Sequence, residues 1–230
     1  MNESPAMVRK TNFPCSLQKC GCQTSSFIWV SKRKKVIYFE TPKAACSSIK
    51  DHLGISQAKT FADRCRSWRY GFKMLTGVTP LEAIEMHPGY FSFTVVRDPV
   101  ARTISNYSMF TQSGHEFREQ QIEEVFGKPF ETIDFPEFCK SLGTRSNHHW
   151  APYVEYLPIK DGKVQIDYIC RMENLSTDWA IVAQKIGCSP TLPRANKSKS
   201  VKIHPAKQDL ENIAAHFSED YRLLGYEHPV

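Results

Sequence analysis

The 230-residue sequence predicts a three-layer α/β fold built on a central, mainly parallel sheet flanked by helices. Two observations carry this. Short β-rich apolar runs alternate with helical stretches along the chain, and two of those runs pass into a helix through a tight turn that holds charged or hydroxyl side chains. Composition agrees, because a hydrophobic content of 41% supports one substantial core and the length demands no second domain.

Residues 1–26 show no sustained periodicity and read as an irregular lead-in, which leaves 27–230 as the single domain. The ordered part opens with the run from Phe27 to Ser31. A strand, KVIYFE, follows, then the turn TPKAA and a helix, CSSIKDHLG, that stops at Gly54. Residues 58–75 are rich in charged and aromatic side chains and read as helical, with an ordered loop as the alternative. PLEAIEM is a short helix with Pro80 in its first turn. The second strong strand, YFSFTVV, breaks at Arg97-Asp98-Pro99, and Pro99 starts the helix VARTISNYSMF. FPEFCKSL is a short helix, GTRSNHHWAPYVEYL a long loop and QIDYICRME a third strand. NLSTDWAIVAQKIG is an amphipathic helix ending at Gly187, and one or two helices complete the tail. No internal repeat or low-complexity segment is present.

In open α/β sheets, ligands bind beyond the carboxyl ends of the strands, where helix N-termini offer backbone N–H groups and a positive dipole end. Both turns occupy such places. The first is P-loop-like in position but lacks the G-x-x-x-x-G-K-[ST] order: its lysine, Lys43, precedes the helix and no glycine is present. That counts against an ordinary ATPase or kinase. Lys43, Ala44, Ala45, Cys46, Ser47 and Ser48 suit a group whose bridging oxygen gains negative charge as a bond breaks. The plainer reading of the two serines is helix capping. The second turn offers Arg97 and, further into its helix, Ser105, a pairing that suits a terminal phosphate. The alternative for Arg97 is an ion pair with Asp98 or another carboxylate. Arg102 and Tyr107 read as structural.

ETPKAACSSIK resembles the 5'-phosphosulfate loop of the sulfotransferases, and FTVVRDPVARTISNY resembles their 3'-phosphate motif. HHWAPYVEYLP, IDYICRMENLSTDW, LPRANKSKS and EDYRLLGYE resemble, in the same order, later segments of the membrane-associated carbohydrate sulfotransferases. The wording of the first loop, Ala-Cys before a small hydroxyl residue with a lysine after it, most resembles the branch that sulfates galactosamine or glucuronic acid residues on glycans. The resemblance spans about residues 35–228, and ordered segments are more specific together than singly. It implies 3'-phosphoadenosine-5'-phosphosulfate as donor, adenosine 3',5'-bisphosphate as product and a carbohydrate hydroxyl as acceptor. Asn196, Lys197 and Ser198 would close over the nucleotide, and no metal is required, because Lys43 and the helix N-terminus supply positive charge. One departure is Cys46, where the common form of the loop has glycine. The alternatives are a sulfotransferase for a small alcohol, phenol or lipid, and a nucleotide-binding protein without transfer activity.

An acceptor hydroxyl needs a base, and histidine suits neutral pH. His87 and His149 are the leading candidates, with Glu40, Glu85 and His148 behind them; the plainer role for His149 is packing beside Trp150. The net charge of +6 favours anionic ligands without implying nucleic acid. The basic run Lys32 to Lys35 reads as a solvated strand flank. No run of about 18 apolar residues occurs and the N-terminus is polar, so the expectation is a cytoplasmic protein without a membrane anchor. Eight cysteines fit free thiols in a reducing compartment. Cys15, Cys20 and Cys22 are closely spaced but match no standard zinc motif.

Overall fold

The computed structural model describes residues 27–55, 60–111, 116–144, 147–193 and 202–230. Its strands are β1 (Ile28–Ser31), β2 (Val36–Phe39), β3 (Phe72–Leu75), β4 (Phe91–Val96), β5 (Ile159–Lys160), β6 (Lys163–Val164) and β7 (Tyr168–Arg171). Its helices are α1 (Cys46–His52), α2 (Phe61–Tyr70), α3 (Pro80–Glu85), α4 (Pro99–Thr111), α5 (Glu116–Phe126), α6 (Phe135–Ser141), α7 (Leu175–Ile186), α8 (Lys207–His216) and α9 (Ser218–Leu224).

The main sheet has the order β3-β1-β2-β4-β7, and β5 and β6 form a separate hairpin. β4 pairs in parallel with both β2 and β7, while β1 runs antiparallel to both β2 and β3. The sheet is therefore mixed, with one reversed strand in the company of four that share a direction. The reversal has a simple cause: four residues, Lys32 to Lys35, join β1 to β2, and so short a connection permits only antiparallel pairing. Residues 72–75, expected to continue a helix, instead pair with β1 as the sheet edge.

Every residue of β2 is buried, as are five of the six in β4, because helices cover both faces. One apolar cluster surrounds this sheet, with Tyr38 stacked on Phe93 at 4.8 Å and Trp179 of α7 edge-on to Phe93. A second joins α4, α5, α6, α8 and α9 through Phe110, Ile122, Phe138, Trp150, Ile213 and Tyr221. Threonine capping boxes start α2 and α3 at Thr60 and Thr79, and Asp134 caps α6, each contributing about 1 kcal/mol. Gly54 brings the end of α1 against α2. Its φ is +66°, and a Cβ there would lie 2.4 Å from the Ser67 backbone nitrogen, so both the turn and the approach require glycine. No helix among the described residues is long and apolar enough to cross a membrane.

Candidate active site

Two strand-to-helix junctions lie side by side at the carboxyl ends of the adjacent parallel strands β2 and β4. At the first, Thr41 donates its hydroxyl proton to the Val95 carbonyl, and Thr94 returns a bond to the Phe39 carbonyl at 2.8 Å. These bonds tie the two junctions together. The chain then turns through left-handed backbone at Lys43 (φ 66°) and Ala45 (φ 57°), with the buried Ala44 between them. Non-glycine residues pay about 1–2 kcal/mol each for that conformation. Tyr153 supports the turn from behind by donating to the Pro42 carbonyl at 3.0 Å. Ala45 precedes α1 without a side-chain oxygen to cap it, so the first-turn N–H groups of α1 have no side-chain acceptor from that position.

Lys43 is half-buried, its Nζ 3.3 Å from Met109 Sδ in the last turn of α4. Burial, then the charge of Glu40, pushes the Cys46 thiol up. Glu40 is itself buried, with Oε1 bound to Lys50 Nζ and Oε2 accepting from Trp29 Nε1, both at 2.7 Å. Burial opposes the charge on Lys50, but Glu40 outweighs it and raises the lysine above its ordinary value. Both carboxylate oxygens of Glu40 thus fix α1 to the sheet.

At the second junction Asp98 starts α4 by accepting from the Ala101 N–H at 2.8 Å, and its own N–H donates to Glu173 Oε1 at 2.8 Å. Asp98 is thereby committed to the backbone. Arg97, half-buried beside it, forms no ion pair among the described residues. Ser105 lies half-buried on α4.

Residues 147–151 pack against α4. Arg102 Nη2 donates to the carbonyls of His149 (3.1 Å) and Ala151 (2.8 Å), and Asn106 Nδ2 donates to His149 at 2.9 Å. The His149 ring meets Phe110 edge-on and lies 3.8 Å from the His148 ring. Asn147 Oδ1 lies 2.9 Å from both the His149 backbone nitrogen and its Nδ1. A backbone N–H only donates, so the Asn147 atom facing it is oxygen; Nδ1 then carries a hydrogen, and in the neutral ring the lone pair falls to Nε2. Burial pushes the neighbouring His148 down to about 4, keeping it neutral.

His87 lies elsewhere. Its Nδ1 is 2.9 Å from the Ala83 carbonyl and its ring stands beside Tyr90, in a cleft of about 400 Å³ bordered by Ser92 and Asp167 at the amino ends of β4 and β7. The six residues of β4, about 20 Å of extended chain, separate it from Arg97. Exposed Glu85 on α3 shares that edge. Asn196, Lys197, Ser198, Cys15, Cys20 and Cys22 lie outside the described residues. Among the described residues no group of three or more His, Cys, Asp or Glu is arranged to hold a metal ion. Sequence reasoning missed Asn147, Tyr153 and Met109: an asparagine two residues before a histidine looks like any polar loop, and the other two act through tertiary contacts alone.

A family model described as the sulfotransferase family matches residues 26–227. The chain belongs to that family. It is similar to carbohydrate sulfotransferase 10 of Xenopus laevis, 23% identical over 249 residues, which cover 88% of this chain and 68% of the relative. The human carbohydrate sulfotransferase 10 is 23% identical over 241 residues, 88% of this chain and 67% of the relative. Human carbohydrate sulfotransferase 14 is 25% identical over 179 residues, 71% of this chain and 47% of the relative. No solved structure matches the chain. The matched span of this family member takes in both junctions and the His149 segment.

Proposed function

We propose that the chain transfers a sulfuryl group from 3'-phosphoadenosine-5'-phosphosulfate to a hydroxyl of a carbohydrate by in-line displacement, releasing adenosine 3',5'-bisphosphate. The observation that carries this reading is the pair of adjacent junctions, one with half-buried Lys43 and the other with an Arg97 that no described carboxylate neutralises. The junctions suit a ligand with two anionic ends. Membership of the sulfotransferase family supports the reaction, and the names of the relatives support a carbohydrate acceptor.

When bound, the donor supplies a sulfuryl group on a phosphate oxygen that gains negative charge as the bond breaks. Residues Ala44 to Ser48 hold this end through the first turn of α1, and Lys43 sets its ammonium against the growing charge. Arg97 and Ser105 bind the 3'-phosphate, and Asn196, Lys197 and Ser198 close the nucleotide site. His149 accepts the acceptor's proton at Nε2, because Asn147 holds the other ring nitrogen protonated. His149 is assigned this role over His87 because its segment packs on α4, the helix that also meets Lys43. The reading assigns no role to a metal ion. A cytoplasmic setting belongs to it, supported by the free thiols of Cys46, Cys65, Cys139, Cys170 and Cys188.

Isothermal titration with adenosine 3',5'-bisphosphate tests the donor site. The wild type should bind it more tightly than adenosine 5'-monophosphate, and Arg97→Ala should weaken binding about 10- to 100-fold. Equal affinity for the two nucleotides would remove the basis of the reading. Transfer of labelled sulfate to a panel of glycans, alcohols and phenols then identifies the acceptor, and tight binding without transfer to any of them would favour a silent nucleotide binder.

A further inference from the structure

The basic turn Lys32 to Lys35 packs against α2. Arg33 lies 4.7 Å over the Trp68 ring, Lys34 lies 5.6 Å over Tyr70, and Ser31 donates its hydroxyl proton to the Tyr70 carbonyl. The surface thus assembled, residues 31–35 and 60–75, holds eight Lys and Arg against the single acid Asp63, a balance of +7. The whole chain carries +6, so every other residue together contributes −1. Outside this patch the 22 remaining Lys and Arg are offset by 23 acids, so the patch accounts for the net positive charge. It is also distinct from the junctions, because the turn lies at the amino end of β2 and Lys43 follows its carboxyl end.

The same patch exposes two large apolar side chains. Phe61 is 74% exposed and Trp68 73%. Seven residues apart on α2, they share one helix face about 10 Å apart along the axis, with Cys65 exposed between them. Guanidinium groups flank both rings, Arg64 by Phe61 and Arg33 by Trp68. Asp63 is bound to Arg66, while Arg33, Arg64 and Arg69 form no ion pair among the described residues.

We propose that this patch docks the protein on an anionic membrane surface, with Phe61 and Trp68 entering the headgroup region and the arginines meeting lipid phosphates. Charge alone would suit any polyanion. The two exposed rings decide for lipid, since a soluble polyanion leaves Phe61 in water, whereas a bilayer interface takes the ring and the cation beside it together. The cytoplasmic face of cell membranes offers the matching negative potential. Such docking is peripheral, requires no spanning segment, and does not depend on the donor site.

Co-sedimentation of the full chain with phosphatidylcholine vesicles, with and without phosphatidylserine, tests it. The wild type should pellet with the phosphatidylserine vesicles and stay in solution with phosphatidylcholine alone. Phe61→Ser/Trp68→Ser and Arg64→Glu/Arg69→Glu should each lower the affinity at least about tenfold. All four positions are exposed, so both variants should keep the wild-type melting temperature and bisphosphate affinity. Wild type that stays in the supernatant overturns the proposal. So does an aromatic variant that binds phosphatidylserine as tightly as wild type, an outcome that would mark a soluble polyanion as the occupant and that dextran sulfate binding, measured in parallel, would identify.

Discussion

At the scale of single residues, Lys43 and Arg97 answer to different measurements. In the proposed mechanism Lys43 acts where charge develops, so Lys43→Ala should lower kcat about 100- to 1000-fold while bisphosphate binding changes much less. The same proposal has Arg97 grip a phosphate that does not react, so its loss should appear chiefly as weaker donor binding. Asn147 offers a sharper test of the assigned base. Asn147→Leu should lower kcat about tenfold or more, whereas Asn147→Asp, which still accepts from Nδ1 and adds negative charge, should keep much of the activity and move the acidic limb of the kcat/KM profile to higher pH. A profile unmoved by Asn147→Asp would sink the assignment. His148 makes a prediction about stability. It titrates near 6.5 when unfolded and at about 4 when buried, so between those values only the unfolded chain binds the proton. Its contribution is complete above pH 6.5 and is lost as pH falls toward 4, on the order of 3 kcal/mol. Urea midpoints measured across that window should fall less steeply for His148→Gln; burial lowers His52 and His216 too, so a slope remains.

At the scale of elements, the two junctions were legible because they combine an apolar run, a turn with charged residues and a helix start in a short stretch. Pro99 announced α4, and the aspartate before it does the capping. β3 was not legible. Lys73 and Met74 are both exposed on an edge strand, so no alternation marks it, and its identity comes from pairing with β1. The hairpin of β5 and β6 turns on Asp161-Gly162, both at positive φ, a local signal that the sequence does display and that the reading passed over. α5 went unread as well. At the site, the loops around Lys43 and Arg97 were readable from their chemistry, but the separation of His87 from them follows only from which end of β4 it occupies. Gly54 gives the element-scale test: Gly54→Ala should destabilise the protein by at least about 2 kcal/mol in urea unfolding, since the Cβ meets backbone and the positive φ is strained.

At the scale of the whole molecule, Arg102 is the joint between the two apolar clusters. Its guanidinium is fully buried, lies 3.8 Å over Tyr153 and 5.3 Å over Phe217, holds the His149 and Ala151 carbonyls and stands 3.7 Å from Asp220. Asp220 in turn accepts from the N–H groups of Tyr153 and Val154, while burial raises its carboxyl against the pull of Arg102 and of those two donors. Arg102→Ala should therefore cost about 3–5 kcal/mol and loosen the His149 segment, measurable as a lower melting temperature and faster hydrogen exchange there. The strand order has a further consequence, for synthesis of the chain. β1, β2 and β3 come from residues 28–75, but the other flank of β2 is covered only by β4 from residue 91. Until β4 emerges from the ribosome, the wholly apolar run Val36–Phe39 is an open strand edge, so a nascent chain stalled between β3 and β4 should be the one that aggregates and most needs a chaperone.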